Sequence, residues 1–180
     1  MKIYPRLVCA VLALTAIYGC GDGNGTAPVG DSYVFPAGKA VLAFTAMSTA
    51  HLPAPVSGIG LSITLPPGMS VATTSGLSGQ IAAAALMNGS TLAGTTLAFG
   101  TYSASNGKTR LSMATTSDSY RAGEFLRLAC TVASGTNITL GGLKALNTPV
   151  TVLKAVGYDP VAMSTVNITG KVKVTLEVPN

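Results

Sequence analysis

Val56-Ser57-Gly58-Ile59-Gly60-Leu61-Ser62-Ile63-Thr64-Leu65-Pro66-Pro67-Gly68 is the stretch whose reading decides the fold. Ile59, Leu61, Ile63 and Leu65 recur at every second position, so they share one face of a strand, with Gly, Ser and Thr on the other. Pro66 and Pro67 cannot continue a hydrogen-bonded ladder, and Gly68 supplies a turn. The stretch is a strand with one buried face, which requires a second layer to cover it.

Other runs of this kind lie on both sides. Lys39 to Met47 carries Val41, Leu42 and Phe44, and Thr95 to Ser103 forms a further strand. Ser105-Asn106-Gly107-Lys108 reads as a hairpin turn, because Asn-Gly adopts positive φ readily, and Arg110 to Thr115 returns from it. Glu124 to Val132, Thr136 to Leu140, Val150 to Val156 and Lys171 to Val178 complete the expected strands. One short helix is expected over Ser78 to Asn88, around Ile81-Ala82-Ala83-Ala84-Ala85-Leu86-Met87, with Asn88-Gly89 stopping it. The fold class expected is all-β, a two-sheet β-sandwich with at most this one helix.

Composition supports a packed domain. The chain of 180 residues is 48% hydrophobic and 9% charged, so apolar surface is ample and charge-rich disorder is excluded. The formal charge of +5 includes Lys2 and Arg6 of the N-terminal segment; the remaining nine basic and six acidic side chains leave +3. These charges are scattered. Only Lys171 and Lys173 share a strand face, the solvated side of an amphipathic strand, and no nucleic-acid partner is expected.

The first twenty residues have a different design. Lys2 and Arg6 precede twelve almost wholly apolar residues, Leu7 to Tyr18. Twelve helical residues reach only about 18 Å at about 1.5 Å each, short of a hydrocarbon core of about 30 Å. A cleavable signal peptide is expected rather than a membrane span. Its end, Ile17-Tyr18-Gly19-Cys20, resembles the lipobox of bacterial lipoproteins: Ile17 takes the aliphatic position, Gly19 the small one and Cys20 the lipidated one. Tyr18 stands where that family usually has a small residue. The resemblance implies cleavage between Gly19 and Cys20, a diacylglyceryl group on Cys20, and a membrane partner held through that anchor. Gly21, not Asp, follows, which in that family favours the outer membrane. The expected organisation is a signal peptide over 1–19, a lipidated cysteine and flexible Gly-rich tether over 20–32, and a folded domain over 33–180.

Gly58 to Gly68, then Gly123-Glu124-Phe125-Leu126-Arg127-Leu128-Ala129-Cys130-Thr131-Val132, then Gly170-Lys171-Val172-Lys173-Val174, resemble in their order the bacterial cohesin-like domains. These are jelly-roll sandwiches related in fold to several carbohydrate-binding modules. That resemblance implies non-catalytic binding of a protein partner, dockerin-like or another envelope protein, or of a glycan.

No constellation for catalysis is evident. His51 is the single histidine, no Gly-x-Ser-x-Gly elbow occurs, and Gly107-Lys108-Thr109 lacks the earlier glycine of a phosphate loop, Tyr102 standing there. Cys130, in an apolar run, is expected in the core. Asp22, Asp31, Asp118, Glu124, Asp159 and Glu177 are far apart in sequence, leaving an envelope glycoside hydrolase as the weakest expectation. Nothing points to a metal or cofactor, so none is expected. Asn88, Asn137 and Asn167 head Asn-x-Ser/Thr triplets that read as turn and strand residues. The phenylalanines are expected in the core, whereas Tyr102, Tyr120 and Tyr158 lie near turns and are the candidate ligand-stacking residues. The function expected is a lipid-anchored, non-enzymatic sandwich mediating protein–protein contact, with carbohydrate binding as the alternative.

Overall fold

The structure, a computed structural model, describes residues 29–179. The expected signal peptide over 1–19, with Gly19, and the expected lipidation site Cys20 lie outside these residues. Ten strands build two antiparallel sheets: β1 Gly38–Ser48, β2 Val56–Thr64, β3 Met69–Ser70, β4 Leu86–Asn88, β5 Thr96–Tyr102, β6 Lys108–Thr115, β7 Gly123–Val132, β8 Thr151–Asp159, β9 Ser164–Asn167 and β10 Val172–Glu177. One sheet runs β10-β1-β7-β3, with β4 also on β7, and the other runs β5-β6-β2-β8-β9. Only β5–β6 and β8–β9 are local hairpins; every other connection between successive strands, except β3 to β4, passes from one sheet to the other. The all-β two-sheet sandwich expected from the sequence is the architecture found.

β2 holds the centre of its sheet, between β6 and β8. Ile59, Leu61 and Ile63 are buried against Leu42, Phe44 and Ala46 of β1 and Leu126 and Leu128 of β7, within a single core. Tight interdigitation of two such faces supplies most of the fold's stability. Past the end of β2, Pro66 O accepts from Met69 N (3.0 Å), and the turn carries the chain to β3 on the opposite sheet. At the β5–β6 hairpin Gly107 has φ +69°, and a Cβ there would collide with the Leu65 carbonyl, so the turn requires glycine.

Two elements differ from the sequence expectation. Residues 78–88 are not a helix: one 3-10 turn, Ala83–Ala85, leads into β4, whose Leu86 pairs with Leu128 and Asn88 with Leu126 of β7. An isolated helix of eleven residues is marginal in water, and an open sheet edge offers better backbone pairing. Residues 136–140 are not a strand. Thr139 caps the single α-helix, α1 Leu140–Leu146, its hydroxyl accepting from Gly142 N at 3.0 Å, and Leu140 and Leu143 are buried. Burial of these leucines outweighs the low helix propensity of Gly141 and Gly142.

Residues 29–32, read as the end of a tether, are fastened to the body. Asp31 O accepts from Gly141 N (2.8 Å), and Lys144 Nζ bridges Asp31 (3.0 Å) and Glu177 (2.8 Å).

Candidate functional site

The three candidate tyrosines do not assemble into one platform. Tyr120 is 4% exposed; its ring joins the core and its hydroxyl donates to Gly123 O at 2.9 Å. Burial pushes its phenol well above the usual range. The expected exposure of Tyr120 is therefore corrected: a turn position did not keep the ring in water, because the β6–β7 connection folds over the end of the sandwich, where Tyr120 O accepts from Val56 N. Tyr102 is half-buried at the end of β5, opposite Thr109, which itself stands opposite Ile63 of β2. Tyr158 is exposed at the far end, its N–H donating to Pro55 O (3.1 Å). Eight residues of strand separate those levels, about 26 Å at about 3.3 Å per residue.

Each of these two residues borders its own depression. Tyr158 lies with Pro55, Pro160 and Asp118 around a cleft of about 480 Å³. Tyr102 lies in a groove of about 740 Å³ between the β5–β6 hairpin and the segment around Gly79, with Lys108 and Arg110 on its wall. Asp159 is occupied locally, its Oδ1 accepting from Val161 N and Ala162 N.

The outward face of the β5 sheet carries an arrangement that the sequence did not disclose. Gly100 points inward, since a Cβ there would meet Leu111 and Ile81 side chains, so Leu97, Phe99 and Thr101 point out. Leu97 is 64% and Phe99 53% exposed, which corrects the expectation that every phenylalanine is core. Opposite them on β6 stand Ala114 and Ser112, and beyond these on β2 Gly58 and Gly60. The result is a flat strip with a raised apolar border. Both phases of β5 are apolar or small, so alternation alone could not say which one faces water.

Cys130 is buried and its thiol is pushed up to about 12 by desolvation, so little thiolate forms near neutrality. His51 is exposed, with its carbonyl accepting from Lys171 Nζ at 3.3 Å. Glu124 accepts from Arg127 Nε at 2.7 Å and from Ser90 N at 2.9 Å. Asp31 and Glu177 are brought together, both on Lys144. Among the described residues no group of three or more His, Cys, Asp or Glu side chains is placed to hold a metal ion. No family model, curated protein or solved structure matches this chain.

Proposed function

We propose that this chain is a lipid-anchored protein of the cell envelope, of the outer membrane in particular, whose non-catalytic sandwich docks another envelope protein through the outward face of β5. The observation that carries the reading is the pair Leu97 and Phe99, side by side in water on a flat strip of small residues. Contiguous exposed apolar surface of this kind is a mark of interaction sites. A flat strip suits a protein surface better than a small ligand, which needs a concavity. Ile17, Gly19 and Cys20 support the anchor, and the resemblance of segments 58–68, 123–132 and 170–174 to cohesin-like domains supports binding of a protein partner rather than chemistry.

Two measurements on the full chain in cells test the reading. Cys20→Ala should prevent lipidation and move the protein from the membrane to the soluble fraction. Leu97→Asp with Phe99→Asp should leave a folded, membrane-bound protein that no longer co-purifies a stoichiometric partner. Unchanged fractionation of Cys20→Ala would remove the anchor, and a partner retained by the double aspartate variant would remove the docking face.

A further inference from the structure

The groove beside Tyr102 has a charge pattern that the fold does not need. The outward positions of β2, β5, β6 and β8 carry Lys108, Arg110 and Lys154 and no carboxylate. Arg110 stands between Thr101 on β5 and Ser62 on β2, both uncharged. Neither Lys108 nor Arg110 forms an ion pair among the described residues, whereas Arg127 and Lys144 do. A purely solvated face gains from mixing both signs. Lys108 and Arg110 take alternate positions on one face of β6, about 6.6 Å apart along the strand, which corrects the expectation that only Lys171 and Lys173 share a strand face; Lys171 lies in a 3-10 turn before β10.

Below them the groove offers neutral hydrogen-bonding groups. Ser78, Ser103, Ser105 and Asn106 line it, with Tyr102 at its base packed against the core. Its walls are fixed before any ligand arrives. Tyr102 N donates to Gly79 O (2.7 Å) and Ile81 N to Gly100 O (3.0 Å), which lock the 79–81 segment against β5. On the other wall Ser103 N donates to Lys108 O (2.9 Å), and Asn106 Oδ1 accepts from Lys108 N (3.0 Å). Gly79 has φ +72°, and a Cβ there would lie 2.8 Å from Tyr102 O, so the close approach depends on glycine. A preformed groove binds without the cost of ordering its walls.

From this geometry we infer that the Tyr102–Lys108–Arg110 groove binds an acidic oligosaccharide. Carboxylates of the sugar chain pair with Arg110 and Lys108, the guanidinium in a two-toothed contact. Ring hydroxyls exchange hydrogen bonds with the serine and asparagine groups. A neutral sugar leaves the cations without partners, and a bare anion leaves the hydroxyl-lined part of the groove unused. The inference stands apart from the docking role of Leu97 and Phe99: they carry no charge, and although Phe99 is the diagonal neighbour of Arg110 on this face, neither is changed in its test.

Calorimetric titration of the full chain in non-ionic detergent with tri-galacturonic acid, maltotriose and inorganic phosphate decides the matter. Saturable binding of the acidic trisaccharide is expected, with none of maltotriose. Arg110→Gln and Lys108→Gln should each weaken it about tenfold, the scale of one charge-assisted contact. Both positions are exposed, so unchanged thermal midpoints will confirm that the variants are folded. Lys39→Gln, on the other sheet, should bind as the parent does. Absence of trisaccharide binding, equal weakening by Lys39→Gln, or displacement of the trisaccharide by equimolar phosphate would each overturn the assignment.

Discussion

Gly107 shows how one residue without a side chain governs a large part of the molecule. Its positive φ closes the β5–β6 hairpin, and its carbonyl accepts from Leu65 N at 2.9 Å, tying the turn to the end of β2. Gly107→Ala combines backbone strain with a collision at Leu65 O and should cost about 2 kcal/mol or more, seen as a lower thermal midpoint. A midpoint equal to the parent's would mean that the turn is not built this way. Glu124 makes a different prediction. Burial raises its carboxyl, but hydrogen bonds and charge from Arg127, with the Ser90 N–H, outweigh that and hold it below the usual range. A carboxyl with a lowered folded pKa stabilises above its unfolded value near 4.3 and loses that contribution as pH falls through the folded value. Urea unfolding should therefore find Glu124→Gln weaker than the parent by about 1 kcal/mol at pH 7. The difference should shrink as pH drops below about 4.

At the scale of elements, what could be read in advance depended on length and on which partner a segment finds. β2 was legible because nine residues with a clean period of two leave one interpretation, and the Asn106-Gly107 turn was legible because it has local chemistry. β3 and β4, two and three residues long, are too short to carry a period; the edge of β7 creates them by supplying hydrogen-bond partners. The Ala-rich run was read by its propensity and lost its helix to that edge. β9 was missed for the same reason as β4, since its exposed residues show no apolar phase and its pairing with β8 defines it. Just before α1, Ile138 and Thr139 suggest a strand, but Thr139 acts as a cap. Thr139→Ala should remove that cap and lower stability by about 1 kcal/mol, and Thr139→Ser should restore most of it. Equal stability of the alanine and serine variants would show that α1 depends on burial of Leu140 and Leu143 alone.

For the molecule as a whole, the two sheets assign different tasks to their faces. Inner faces form one core, and the outer face of the β10-β1-β7 sheet presents Arg127, Thr131, Lys173 and Thr175 to solvent. The outer face of the β5 sheet is apolar at Leu97 and Phe99 and cationic at Lys108, Arg110 and Lys154. The site was less legible than the fold, because it arises from neighbours on three strands, not from any motif along the chain. Ala114 acquires its role only by standing beside Leu97 in the sheet, and Gly58 and Gly60 by lying one strand further on. The most direct test places a photo-crosslinking amino acid at position 99 of the full chain in living cells, with the same group at Thr131 as the comparison. The account predicts one discrete protein adduct from position 99 that Leu97→Asp abolishes and that position 131 does not give. The same adducts from both positions, or none from position 99, would contradict it.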